Sequence, residues 1–294
     1  MSDYQNLLFE CDERGVATIT LNRPERLNAL SWALMKELEH CLKASEKDTA
    51  VRVIILRGAG RCFSSGYDFQ DHDHNPGTSL AGPGVGVADG TLEPRGVPDY
   101  GRGIWNSRAH VQEHIAYDQL IWGLWKPVLA QVHGYALAGA STLALACDLT
   151  FMSEEAKIGY PPTRWLSTGD NTGIYSFVTG LKKAKELAFG ELFTGKYAES
   201  IGMINYSYPA DELEAKVRAF ATRIATIEPE LLMLNKMMVN RTWEMKGIKT
   251  AMDFAGEFNS MCHLSNTAAG FIKTLQAHPL GEALKKLNEP WNGV

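Results

Sequence analysis

The chain has 294 residues, of which 45% are hydrophobic and 21% charged, as is typical of a globular protein with a sizeable core. Its formal net charge is −5 without a basic block, which argues against a nucleic-acid groove, and no run approaches the roughly 20 apolar residues of a membrane span. The N-terminus lacks the pattern of a signal peptide, and five scattered cysteines without a CxxC pair favour the reducing cytoplasm, so the composition predicts a cytoplasmic enzyme.

Strands and helices alternate in the first sixty residues. The β-rich run at 16–21 predicts a strand, which ends before Pro24 because proline cannot donate to a ladder. Ser31 is placed to cap a helix that we expect to extend through Lys43. The short apolar run at 53–56 predicts a strand that is buried on both faces.

A segment rich in Gly, Pro, Asp and His follows at about 71–103 and has too few apolar residues for a core of its own. Connections of this length are usually functional, so we interpret it as a lid over a site. It contains Asp71-His72-Asp73-His74, whose residue types suit a metal ion. Because adjacent side chains point in different directions, we favour a solvated lid and predict no metal site.

The alternation of strands and helices then resumes. We predict a helix over 107–122, a strand over 127–132, a helix from Gly139 and a strand over 148–152, which together indicate an α/β core. After Lys182 strand signals nearly vanish. The helices predicted there lie near 182–189, 197–202, 210–227, 229–243, 246–275 and 280–288.

Two turns of small residues follow predicted strands. The first contains Gly66 and Tyr67 after strand 53–56, and the second contains Gly139 after strand 127–132. The carboxyl ends of strands are where α/β folds build their sites. The second turn also begins a helix, whose free N–H groups favour negative charge. Two converging backbone N–H groups would form an oxyanion hole.

Four segments occur in an order and spacing that resemble the crotonase superfamily, the enoyl-CoA hydratase/isomerase fold. They are NRPERLNALSWALMKEL, RVIILRGAGRCFSSGYDF, KPVLAQVHGYALAGASTLALACDLTFMSEEAKIGYPP and AKELAFGELFTGKYAESIGMIN. The resemblance covers about residues 5–272. It implies a ββα-spiral core, which we place at 1–200, and a helical trimerisation region at 201–294, assembled as a homotrimer or a dimer of trimers.

The resemblance also implies an acyl-CoA thioester substrate, with coenzyme A as part of the substrate and no tightly bound cofactor. Its carbonyl oxygen would accept hydrogen bonds from the backbone N–H groups of Tyr67 and Gly139, so the Tyr67 side chain need not take part. The positions that match the coenzyme A path of the family are Arg26, Leu27, Tyr67, Asp68, Phe69 and Gln70.

The sequence departs from the family at both catalytic glutamates of its hydratases. Thr142 and Pro162 stand at those positions, and neither side chain exchanges a proton near pH 7, so the ordinary hydration mechanism cannot be carried over. Asp170 lies in the loop that matches the glycine-rich loop beside the acyl group, and with Thr142 it is our candidate for managing protons. The alternative for Asp170 is a turn or helix-capping residue.

Other interpretations stay open. Asp170 or His133 would activate water in a hydrolase that cleaves a β-dicarbonyl, or the chain would bind acyl-CoA without turnover. We expect structural roles for His133 and Asp148, and an acyl pocket with contributions from Ser141, Tyr160, Arg164 and Trp165. The long lid and the Trp and Tyr content favour a bulky or cyclic acyl group. The C-terminal helix is predicted to pack at a subunit boundary.

Overall fold

The computed structural model describes residues 4–69 and 104–292, with the backbone alone for 104–106. The predicted lid at 71–103 lies outside the described residues. The strands are β1 (Leu7–Cys11), β2 (Val16–Leu21), β3 (Val53–Gly58), β4 (Val128–Val132), β5 (Tyr135–Leu137), β6 (Leu149–Ser153), β7 (Lys157–Gly159), β8 (Leu192–Thr194) and β9 (Tyr206–Tyr208). The helices are α1 (Trp32–Lys47), α2 (Ile104–Gly123), α3 (Gly139–Ala146), α4 (Ile174–Ala188), α5 (Gly195–Ser200), α6 (Leu213–Ile224), α7 (Pro229–Met245), α8 (Ile248–Cys262), α9 (Asn266–Ala277) and α10 (Leu280–Asn292).

The strands form two sheets. The larger sheet has the order β1-β2-β3-β4-β6-β9, antiparallel only between β1 and β2, and the smaller has the order β5-β7-β8. The chain passes from one sheet to the other, since β4 and β6 join the larger sheet and β5 and β7 the smaller one. Helices α3 and α4 follow β5 and β7, so β4-β5-α3 and β6-β7-α4 are successive ββα units. The α/β fold with a ββα-spiral core is therefore confirmed.

The four core strands that the sequence predicts are present. Strand β2 matches its predicted range, and β3 extends two residues beyond it to Gly58. Both are almost completely buried because helices cover the faces of the sheet. Helix α1 begins as predicted, since the Ser31 hydroxyl accepts a hydrogen bond from the N–H of Leu34 at 3.3 Å.

The single helix predicted over 246–275 is wrong. The structure divides it into α8 and α9, because the hydroxyl of Ser265 caps a new helix by accepting from the N–H of Ala268 at 3.1 Å. Strands β8 and β9 have three residues each, too few to give a recognisable alternation in the sequence. Strand β9 lies beyond residue 200 yet extends the larger sheet, so the division of the chain at that residue stays a prediction.

Two helical layers cover the larger sheet. Leu213, Val217 and Ala221 of α6 pack against one face of it, on β2, β3, β4 and β6. The main core lies on the other face, and there α2 packs against both α3 and α8. None of the helices in the described ranges is long and apolar enough to cross a membrane.

Candidate active site

The two predicted turns lie side by side. Single bridges pair Leu30 with Tyr67 and Ser64 with Ala136, which brings the end of β3 against β5. Gly66 has φ +98°, and a Cβ there would lie 2.7 Å from the carbonyl oxygen of Leu137. Glycine is therefore required both by the left-handed backbone and by the close approach of the second turn.

The N–H groups of Tyr67 and Gly139 have no acceptor among the described residues. The neighbouring groups are bonded: the N–H of Asp68 donates to Leu30 at 3.3 Å and that of Ala138 donates to Gly159 at 2.9 Å. Gly139 is the first residue of α3, so its N–H also carries the positive end of the helix dipole. The two turns therefore present two unused donors next to each other.

Ala138 holds the second turn in a strained conformation. Its φ of 50° and ψ of −130° are rare for a residue with a Cβ, and such a conformation costs on the order of 1–3 kcal/mol. Strain of this kind persists where the surrounding structure imposes it, and it clusters at functional sites.

A cavity of about 630 Å³ opens beside these turns. Its walls come from the first turn, β5, α2, the segment after β7, the end of α8, and α10. The lining includes Leu27, Tyr67, Asp68, Phe69, His110, His114, Tyr160, Pro162, Trp165, Asn171, His263, Leu284 and Asn288. The sequence predicted Tyr160, Arg164 and Trp165 here, and all three line the cavity, whereas the fully buried Ser141 does not.

The residues predicted for the coenzyme A path separate into three groups. Leu27, Tyr67, Asp68 and Phe69 line the cavity, and Asp68 forms an ion pair with Arg23 at 2.8 Å. Arg26 is exposed and lies outside the cavity lining. Gln70 lies outside the described residues.

Asp170 and Thr142 do not line the cavity. Burial raises the pKa of Asp170 to about 6, although backbone N–H groups at the start of α4 act in the opposite direction and lower it. The carboxylate thus lies near the start of α4, but no side chain caps that helix, and the buried Oδ1 of Asp170 has no hydrogen-bond partner among the described residues. Thr142 is fully buried, and its hydroxyl donates to the carbonyl oxygen of Gly139 at 3.1 Å.

Asp118 on α2 is a buried carboxyl that no pattern in the sequence indicated. It is 2% exposed, and its Oδ2 has no hydrogen-bond partner in the described part of the chain. Burial raises its pKa to about 8, and only the Thr142 hydroxyl lowers it. Asp118 on α2 therefore brings a carboxyl close to the Thr142 hydroxyl on the neighbouring helix α3.

Tyr160 lines the cavity and is influenced by the charges of both carboxyls. Burial raises the pKa of its phenol, and the charges of Asp118 and Asp170 raise it further. The hydroxyl therefore lies within electrostatic range of both acids while the residue itself lines the cavity.

Three histidines also line the cavity and were missed. They are His110 and His114 on α2 and His263 at the end of α8. Burial lowers the pKa of His110 to about 3 and that of His263 to about 4, and it lowers that of His114 as well. The spacing of four between His110 and His114 placed them on one helix face, but the sequence did not indicate what that face meets.

His133 and Asp148 make structural contacts. A ring nitrogen of His133 bonds to the carbonyl oxygen of Gly60 at 2.9 Å. Asp148 accepts from the N–H of Val128 at 2.7 Å and pairs with Lys236 at 2.8 Å. Across residues 4–69 and 104–292, no three His, Cys, Asp or Glu side chains are grouped to hold a metal ion, and the predicted Asp71–His74 run lies outside these ranges.

Known proteins resemble the chain over most of its length. A family model described as enoyl-CoA hydratase/isomerase matches residues 12–84 and 106–277. A "probable enoyl-CoA hydratase" of Rhizobium meliloti (strain 1021) is 32% identical over 82% of this chain and 84% of its own. The 1,2-epoxyphenylacetyl-CoA isomerase of Escherichia coli (strain K12) is 29% identical over 85% of this chain and 87% of its own. A crystal structure of an enoyl-CoA hydratase/isomerase from Xanthobacter autotrophicus Py2 is 30% identical, with a TM-score of 0.84 over 98% of this chain and 99% of that one.

Proposed function

This chain belongs to the enoyl-CoA hydratase/isomerase family and is an acyl-CoA enzyme, and we propose that it stabilises a thioester enolate between the N–H groups of Tyr67 and Gly139. The observation that carries the proposal is the pair of unused donors on adjoining turns at the edge of the cavity. In an enolate the negative charge lies on the former carbonyl oxygen. Donors held in place before the reaction stabilise that charge without reorganisation.

The proposed proton carriers are Asp118 and Asp170, acting through Tyr160. Asp118, with a pKa of about 8, holds its proton at pH 7, whereas Asp170, with a pKa of about 6, is mostly ionised. Two carboxyls held in different protonation states can serve as acid and base in one reaction. The Tyr160 hydroxyl is the group through which they would reach a substrate, because neither acid lines the cavity.

The proposed acyl group is bulky or cyclic. A cavity of about 630 Å³ is roomy for a short fatty chain, and aromatic side chains form much of its wall. Phe69 and Trp165 contact each other and Phe271, so one end of the cavity presents flat apolar surface. The Escherichia coli relative is named for a phenylacetyl-CoA epoxide, an acyl group of this kind.

A homotrimer or dimer of trimers in the cytoplasm is the proposed working form. Support comes from the apolar side chains that α7 and α8 leave exposed. The five cysteines are free thiols, which fits a reducing compartment.

The test is a panel of enoyl-CoA and β-ketoacyl-CoA esters, including cyclic ones, with products identified by mass. The proposal expects a gain of one water, or a shifted double bond, with the thioester retained. Asp118→Asn and Asp170→Asn should each lower turnover while leaving ester binding intact. Release of free coenzyme A thiol or opening of a ring would instead assign hydrolysis or C–C bond cleavage. Binding without any turnover would overturn the catalytic proposal.

A further inference from the structure

Three histidines form one wall of the cavity, which we call the histidine wall: His110, His114 and His263. The rings of His110 and His114 meet edge to face, with centroids 4.5 Å apart. The hydroxyl of Ser107 lies 3.3 Å from Nδ1 of His263. By contrast, no hydrogen bond joins the ring nitrogens of His110 or His114 to another described residue, although both rings line the cavity. The wall therefore offers hydrogen-bonding groups that the described part of the chain does not use.

The neighbours of His114 show where the histidine wall lies relative to the turn at Gly139. Its ring stacks on Trp32 with centroids 4.8 Å apart, and the ring of Tyr67 lies 4.0 Å away on centroids. The Tyr67 ring in turn packs against Gly139. One aromatic ring thus separates His114 from the turn that would hold the thioester oxygen, so the wall faces the acyl chain beyond the reacting carbons.

We propose that His110, His114 and His263 recognise a neutral oxygen, a hydroxyl or keto group, on the acyl chain beyond the two carbons that react. This inference rests on the proposed acyl-CoA function. A neutral imidazole presents one N–H donor and one acceptor, and it can therefore pair with either kind of oxygen. A purely hydrocarbon acyl group filling the cavity would remove water from these groups and return no hydrogen bond, which is unfavourable.

The charge state of the wall argues against a carboxylate as the recognised group. Burial lowers the pKa of all three imidazoles, and those on α2 are lowered further by the neighbouring histidines, so the rings are neutral at pH 7. A buried carboxylate would need a protonated ring beside it, and these surroundings disfavour the protonated ring. A metal ion is not favoured either, because the described side chains are not grouped to hold one.

The experiment compares hexanoyl-CoA with 5-oxohexanoyl-CoA, two saturated esters of equal chain length, by isothermal titration. Wild-type protein should bind the keto ester about tenfold more tightly, as one added buried hydrogen bond implies. His110→Phe and His263→Phe should bring this ratio close to one while the affinity for hexanoyl-CoA stays within twofold. His110→Gln keeps a donor and an acceptor and should retain part of the discrimination. His40→Phe, at an exposed histidine that bonds to Tyr4, is the control and should leave the ratio unchanged.

Thermal unfolding of each variant shows that it is folded before its ratio is read. Equal affinity of the wild type for the two esters would overturn this inference but not the proposed function. The same holds if both Phe variants keep the wild-type ratio of affinities. Failure of both esters to bind the wild type would overturn the proposed acyl-CoA function, and this inference with it.

Discussion

The ring of Tyr67 packs directly onto Gly139, so closely that a Cβ at position 139 would lie 2.7 Å from Cε1 of the ring and nearer still to Cζ. The two residues that supply the unused N–H groups are thus in contact through a side chain as well. Glycine at 139 is required by this contact and not by its backbone, since its φ is not in the left-handed region. Any side chain at 139 must displace the ring or the turn.

The Tyr67 ring is held against His114, so in Gly139→Ala the turn and its N–H should move instead. We expect kcat/KM to fall about 100-fold, because losing one oxyanion donor costs about 3 kcal/mol of barrier. Steady-state kinetics on the best ester of the panel measure this effect. Combining it with Tyr67→Ala should restore part of the activity, since the smaller residue removes the clash and keeps its own N–H. The control is Gly270→Ala in α9, where a Cβ meets nothing within 4 Å and activity should not change. Full activity of Gly139→Ala alone would contradict the proposed oxyanion hole.

Asp118 should make the protein less stable as the pH rises. Its pKa is about 8 in the folded protein against an ordinary value of 3.8, because burial disfavours the charged form. The folded state therefore holds a proton that the unfolded state releases between these values, and the free energy of unfolding falls as the pH rises from about 4 to about 8. Asp118→Asn removes this contribution.

Urea unfolding at pH 5 and pH 8 measures the difference. The free energy of unfolding of Asp118→Asn minus that of wild type should be larger at pH 8 than at pH 5. Asp253→Asn, at an exposed position of α8, is the comparison for exchanging a carboxyl for an amide. An identical pH dependence in wild type and Asp118→Asn would show that this carboxyl is not buried as described.

Two substitutions at Asp170 distinguish a helix-capping role from a role in proton transfer. Asp170→Asn keeps an oxygen that can accept from the N–H groups at the start of α4, so stability should change little. Asp170→Ala removes the acceptor and should lower the free energy of unfolding by about 1 kcal/mol. If Asp170 carries protons, both variants lose turnover; if it only caps the helix, Asp170→Asn keeps wild-type turnover. Chemical denaturation and turnover measured on the same preparations distinguish the two roles.

The sequence predicted the parts of the fold that depend on local patterns. Strand β2 was predicted from a run of β-favouring residues, β3 from a continuous apolar run, and the start of α1 from Ser31. Asp118 was missed because a carboxyl on a helix ordinarily faces water. It becomes buried beside Thr142 only when α2 packs on α3, a contact between distant segments that no local pattern encodes.

Helix α10 forms one wall of the cavity in its own chain, so removing this helix should weaken substrate binding. Leu284 and Asn288 line the cavity, and Arg164 donates to Oδ1 of Asn288 at 3.1 Å and lies 4.0 Å over the ring of Trp291. A chain that ends at His278 should bind acyl-CoA at least tenfold more weakly by titration, since it loses one wall and these contacts. Exposed Lys286→Ala should bind as wild type does.

The same shortened chain tests the predicted subunit boundary. If α10 packs against a neighbouring subunit, the shortened protein should have a lower mass by light scattering. An unchanged mass together with weakened binding would show that α10 serves only the cavity of its own chain and does not lie at a subunit boundary.

The exposed apolar side chains of α7 and α8 should be the contact between subunits. Met238 and Met245 of α7 are 63% and 82% exposed, and Phe254 of α8 is 62% exposed. The structure leaves no residue of α7 buried, although the helix carries many apolar side chains. A helix of this composition gains stability from burial against another surface, and a second copy of the chain presents the same apolar one.

Met238→Glu and Phe254→Glu should therefore reduce the mass measured by light scattering to that of a monomer, because an unpaired charge in an apolar interface is costly. The matched control is Leu8→Glu, which places the same charge at a leucine of β1 that is 54% exposed and lies outside α7 and α8. It should leave the mass unchanged. A wild-type protein that is already monomeric at micromolar concentration would contradict the proposed trimer. An oligomer that persists in both Glu variants would move the contact to another surface.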